Sequence, residues 1–86
     1  MKISVELTLT PLQDNFEPAI IAFIKRLRNS GLTVIENPLS TQVYGDYHNV
    51  MKVLTLEMKT ALEDIDNGLL FIKMIKSDRS DYEPHF

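Results

Sequence analysis

The stretch Asn37-Pro38-Leu39-Ser40-Thr41-Gln42-Val43-Tyr44-Gly45-Asp46 decides how the rest of the chain is read. Pro38 marks a turn. Thr41 to Tyr44 are β-prone residues that suit a short strand. Gly45-Asp46 closes that strand, and the Asp46 carboxylate is placed to accept the first free amides of a helix. A turn, a strand and a helix start therefore follow in direct succession.

Working outward from the turn, Leu32 to Glu36 is a short β-branched strand. The connection to Thr41 is short enough for an antiparallel hairpin. Further upstream, residues 2–10 alternate without a break: Ile3, Val5, Leu7 and Leu9 against Lys2, Ser4, Glu6, Thr8 and Thr10. That is the pattern of a strand with one buried face, and Pro11-Leu12 ends it. Asp14 and Glu17 have capping-box spacing, and Pro18 suits the first turn of a helix. Phe16, Ala19, Ile20, Phe23, Ile24 and Leu27 then form one helical stripe. Ser30-Gly31 stops this helix, glycine being the usual left-handed terminator.

Downstream, a second helix runs from the Asp46 cap to about Ile65. Its stripe is Tyr47, Val50, Met51, Leu54, Met58, Ala61, Leu62 and Ile65. Asn67-Gly68 ends it, and Leu69 to Lys76 is a final strand. The order β-α-β-β-α-β predicts an α+β, ferredoxin-like sandwich: a four-stranded antiparallel sheet with two helices on one face. Residues 1–79 are expected to form a single domain. The chain is polar from Ser77 onward, and residues 80–86 are expected to be a flexible C-terminal tail.

The chain has 86 residues, no cysteine and a formal charge of −3. Disulfides, thiolate metal sites and a cysteine nucleophile are thereby excluded. The charge argues against a nucleic-acid partner, which needs a basic surface. Lys25-Arg26-Arg28 is the one basic cluster, and it falls where a helix C-terminus favours cations. The first residues alternate, unlike the apolar run of a signal peptide. No stretch approaches the roughly 20 apolar residues of a membrane helix. A cytoplasmic protein without membrane contact is expected.

Helices on one side leave the other side of the sheet bare. It carries Ser4, Glu6, Thr8 and Thr10, joined by Gln42 and Tyr44 if Val43 points to the core. In the last strand Leu69, Phe71 and Ile75 alternate with Leu70, Ile72 and Met74, so both its faces are apolar. Strands of that kind usually have both faces covered. A second copy of the protein is the expected cover.

Little of the sequence suggests catalysis. His48 and His85 are not at metal-ligand spacing, and there is no Gly-rich phosphate loop or nucleophile elbow. Glu57, Glu63, Asp64 and Asp66 read as a solvated helix face. Acylphosphatases share the fold, but Thr10-Pro11-Leu12-Gln13 has neither their glycine-rich loop nor their arginine. The sheet also lacks the aromatic platform of RNA-binding relatives. A non-catalytic binding module is the reading, with Glu6 as the one carboxylate that burial could turn into a base.

The chain resembles the thiamine-binding, YkoF-like family of small ferredoxin-like proteins. The matching segments are Thr10-Pro11-Leu12, Ser30-Gly31-Leu32, Pro38-Leu39-Ser40-Thr41 through Gly45-Asp46, Val50-Met51, and Ile75-Lys76 with Asp78-Arg79. It departs at Gln13 and Ser40, where the family often has glycine, and at Tyr47-His48-Asn49, where a second acid is blurred. The resemblance implies binding of thiamine or its hydroxymethylpyrimidine moiety, in dimers or tetramers formed through the sheets; no cofactor is expected. Glu6, Thr8, Thr10, Thr41, Gln42 and Tyr44 are the polar and aromatic groups near the open face or its rim. Thr41 leads them because it lies inside the best-matching segment, although it also reads as a plain strand-start threonine. Two rivals stand beside this reading: an oligomeric scaffold or partner-binding subunit, and a regulatory sensor for another metabolite such as an amino acid.

Overall fold

The computed structural model describes residues 1–86. Its elements are β1 (Lys2–Pro11), α1 (Glu17–Arg28), β2 (Thr33–Glu36), β3 (Thr41–Asp46), α2 (Tyr47–Glu63) and β4 (Gly68–Ile75). The strands form one antiparallel sheet in the order β2-β3-β1-β4. This is the ferredoxin-like sandwich that the order of elements predicts. No helix is long and apolar enough to cross a membrane.

Alternation along β1 sets the two sides of the sheet. Ile3, Val5, Leu7 and Leu9 are buried, and they meet Val43 of β3, Phe23 and Leu27 of α1, and Val50, Leu54 and Ala61 of α2 in one cluster. Both helices therefore lie over the same side. Four stripe residues fall outside the core cluster: Phe16 precedes α1 and is half-exposed, Leu62 is exposed, and Ile24 and Met51 are half-buried at its margin, while Val53 packs against it. A helix drifts around its axis relative to any fixed spacing, so long stripes lose residues at their ends.

The helix ends differ in their chemistry. At α2 the Asp46 side chain accepts the His48 N–H at 3.2 Å, as the sequence predicts. Burial pushes the Asp46 carboxyl up, but the terminal ammonium of Met1 and the amide and charge of His48 outweigh it and hold it below the usual carboxylate range. At α1 the expected capping box does not form. Phe16 occupies the cap position, without a side-chain hydrogen bond. In the loop before it, Gln13 accepts the Asp66 N–H at 3.1 Å and donates to the Asn15 carbonyl.

Two glycines have structural reasons. Gly31 has φ +86°, a left-handed conformation that reverses the chain after α1. Gly68 lies against β1: a Cβ there would sit 2.7 Å from the Thr10 carbonyl oxygen. Both arginines of the basic cluster at the end of α1 are engaged in ion pairs. Arg26 Nε reaches Glu57 at 2.6 Å, and Arg28 grips Glu36 with two hydrogen bonds at 2.5 and 2.7 Å. Glu57 is thus an interhelical partner and not part of a solvated face.

The chain does not leave the sheet after β4. The Ser4 hydroxyl donates to the Ser77 carbonyl at 2.7 Å and accepts the Arg79 N–H at 2.9 Å. Ser77 to Arg79 therefore cross the open side of β1, which explains why Ser4 is buried on a side that the helices do not cover. Asp78 caps the next turn through the hydroxyl and amide of Ser80, which hold its carboxyl below the usual range.

Candidate functional site

The predicted ligand residues divide between two hollows on opposite sides of the sheet. Register decides the division. Thr41 pairs with Leu7 of β1 and Glu36 of β2, and Val43 pairs with Val5. Thr41 therefore shares the helix side with the core, whereas Gln42, paired with Glu6, and Tyr44, paired with Ser4, face the open side. Of the two expected positions for Thr41, the open face or its rim, this parity leaves only the rim. Neighbouring strand residues point to opposite faces.

The first hollow is a cleft of about 150 Å³ between α1, β1 and the turn before β3. The turn is stiffened by Asn37, whose Oδ1 accepts the Leu39 and Ser40 N–H groups at 2.9 and 3.1 Å. Thr8 ties the turn to β1 by donating to the Leu39 carbonyl at 3.3 Å. Phe23, Ile20 and Ile24 of α1 make one wall, and Thr41 and Ser40 stand at the other. Thr41 is only 6% exposed, yet its hydroxyl takes no intramolecular hydrogen bond, unlike those of Ser40 and Thr8. An apolar wall facing a few held polar groups is the usual make-up of a small-molecule site.

The second hollow is a cup of about 160 Å³ on the open side. Glu6 of β1, Gln42 and Tyr44 of β3, Lys73 of β4 and Arg79 surround it. Ser40 links two of them: its hydroxyl donates to Glu6 Oε2 at 2.9 Å and accepts from Gln42 Nε2 at 2.6 Å. Glu6 is thus held on the open side, against the Ser40 hydroxyl that also lines the cleft.

Thr10 joins neither hollow. It pairs with Leu69 at the far end of β1, about 13 Å along the strand from Glu6. Thr8 sits between, lining the cleft and holding its turn. The sequence reading missed Lys73 and Arg79. Lys73 was visible as the lone charge in the apolar run of β4, where it pairs with Glu6. Arg79 had no such signal, because its return to Ser4 is a contact between distant parts of the chain. No group of three His, Asp or Glu side chains is placed to hold a metal ion.

No protein-family model matches the sequence, and no curated protein is similar to it. The fold does have counterparts among solved structures. A Streptococcus pneumoniae protein superposes with a TM-score of 0.82 at 24% identity, covering 91% of this chain and 89% of its own. A Thermotoga maritima protein, provisionally assigned to thiamine biosynthesis or salvage, superposes with a TM-score of 0.80 at 15% identity, covering 90% of this chain and 85% of its own. A domain of unknown function from Bacillus cereus gives 0.74 at 10% identity, covering 96% and 83%. At these identities the likeness establishes a shared fold.

Proposed function

We propose that this protein binds thiamine or its hydroxymethylpyrimidine moiety without transforming it, in the manner of the YkoF-like family its motifs resemble. The observation that carries the reading is Thr41: a shielded threonine with an unengaged hydroxyl, in a cleft walled by Phe23. An aminopyrimidine offers a flat apolar face and an edge of donors and acceptors. The ring suits the apolar wall of α1, where half-buried Ile20 and Ile24 stand beside the core residue Phe23, and its edge suits Thr41 and Ser40. At about 150 Å³ the cleft is smaller than the roughly 300 Å³ at which sites for drug-sized ligands begin. It therefore takes one ring, with the rest of thiamine projecting outward. The fold shared with the Thermotoga maritima protein agrees with this reading. The groups at the cleft are hydroxyls and a braced turn, which suit hydrogen bonding better than proton transfer, so no turnover is expected.

Isothermal titration with thiamine and with hydroxymethylpyrimidine tests the proposal. Binding of either, lost in Thr41→Val but kept in Glu6→Gln, supports it. Absence of binding for both ligands at millimolar concentration sinks it. Turnover of either ligand would overturn the non-catalytic part.

Assembly belongs to the same proposal. Phe71 and Leu69 on the open side of β4, and Ile72 and Met74 on its helix side, are about half-exposed, Phe71 at 58%. An edge strand apolar on both sides invites pairing with a second copy. A dimer or tetramer formed through β4 is expected. Sedimentation equilibrium showing only a 9.9 kDa species at micromolar concentration would remove this part.

A further inference from the structure

The open-side cup contains a polar group that the protein itself leaves unused. Tyr44 is only 9% exposed and lines the cup, and its phenolic hydroxyl has no hydrogen-bond partner in the chain. The hydroxyl is not sealed in the core but opens to the cup, where a ligand can reach it. The charged groups around it are also unspent. None of the ion pairs uses Lys73 or Arg79. Arg79 is braced by donating from Nε to the Ser77 hydroxyl at 2.7 Å, which leaves its terminal nitrogens free. On the other wall Glu6 uses only Oε2, toward Ser40, and Gln42 uses only its amide nitrogen. One carboxylate oxygen and one amide oxygen remain as free acceptors. The cup is therefore polarised: two unpaired cations come from β4 and the segment after it, and two free acceptors from β1 and β3.

We propose that the cup is a second ligand site, for a small zwitterion of the α-amino acid class. Lys73 and Arg79 hold its carboxylate, Tyr44 donates to the same group, and Glu6 with the Gln42 carbonyl oxygen accepts from its ammonium. A purely anionic ligand would meet Glu6, and a purely cationic one would meet Lys73 and Arg79. A ligand carrying both charges satisfies both walls. The volume, about 160 Å³, matches on the order of five water molecules in the liquid, so it holds the carboxylate, ammonium and α-carbon of glycine, alanine or serine. The two hollows share no lining residue and are linked only by the Ser40 hydroxyl, so variants at Tyr44 and Arg79 test this site apart from the pyrimidine reading.

Titration of the full chain with glycine, L-alanine and L-serine, each up to about 10 mM, decides the matter, with calorimetry and NMR shifts as joint readouts. Acetate and methylammonium serve as single-charge probes. At least one amino acid is expected to bind with a millimolar or better constant, about tenfold or more tightly than either single-charge probe. Tyr44→Phe, which keeps the ring, and Arg79→Gln, at an exposed position, should each weaken it about tenfold. No binding of any of the three amino acids overturns the proposal. Acetate binding as tightly as the best amino acid, or unchanged affinity in both variants, overturns it as well.

Discussion

On the helix side of β1, Ile3, Val5, Leu7 and Leu9 are almost wholly shielded, whereas Glu6, Thr8 and Thr10 on the other side of the same strand are half-buried or exposed. The two sides also differ in what their hollows are made of. The helix-side cleft is an edge of the core, so its walls are the aliphatic and aromatic residues that hold the fold together. The open-side cup is built from charged and hydrogen-bonding groups that the core does not need. Changes on the helix side should therefore act on stability and binding together. Changes on the open side should act on binding or assembly and leave the fold standing.

The largest expected effect breaks the helix side. Phe23→Ala empties the centre of the core and should cost about 3–5 kcal/mol, a large part of the stability of a domain this size. Phe71→Ala, on the open side, should cost less than about 1 kcal/mol in the monomer. Urea denaturation of both variants at low protein concentration checks the contrast. Comparable losses would mean that the open side is structural after all.

Gly68→Ala comes next. The new Cβ would press on the Thr10 carbonyl and on the Ile65 side chain, whose Cδ1 lies 2.6 Å away. The Ile65 side chain can yield, but the β1 backbone cannot without loosening β4. A loss of about 1–3 kcal/mol is expected, with faster hydrogen exchange at the amides joining β1 to β4. Unchanged exchange there would show that the glycine is not required by this close approach.

Thr41→Val sharpens the comparison at a single position. A hydroxyl that takes no intramolecular hydrogen bond gives way to a methyl of similar shape, so stability should stay within about 1 kcal/mol of the parent. If the cleft is the pyrimidine site, binding should fall at least about tenfold in the same variant. A large stability loss would mean that Thr41 serves the fold through a contact the static structure does not display.

The smallest effect concerns the exposed pair Arg28–Glu36. The hydrogen bonds from Arg28 hold the Glu36 carboxyl below the usual carboxylate range, although burial opposes them. A depressed folded-state value means that the contribution is complete above the ordinary carboxylate range and fades as pH falls through the folded value. Glu36→Gln should lower Tm slightly near neutral pH. The difference should vanish in acid, and in high salt as well, because the pair is exposed. A difference that persists at acidic pH would rule out the pair as its cause.

Much of this molecule follows from local pattern. The strict alternation of residues 2–10, the apolar stripes of α1 and α2, and the turn at Pro38 determined the element order, and with it the sandwich. These signals are legible because each rests on neighbours within a turn or a strand. The Asp46 cap is of the same kind. The Asp14–Glu17 spacing failed because the helix starts at Glu17 with Phe16 as its cap, so Asp14 lies outside the cap position.

The candidate sites depended on contacts that only the tertiary structure provides. Thr41 and Gln42 are adjacent, yet they face opposite sides of the sheet. Which side is which depended on the pairing of Thr41 with Leu7 and Gln42 with Glu6. The cup needed more still: Arg79 reaches it only because its amide and the Ser77 carbonyl close on the Ser4 hydroxyl from the other end of the chain. The sequence by itself determined which residues could be buried and which could bind, because hydrophobic period and side-chain chemistry are local properties. Register and the return of the chain end decided which of them meet. Both are won through backbone pairing and hydrogen bonds between segments that have no proximity until the sheet exists.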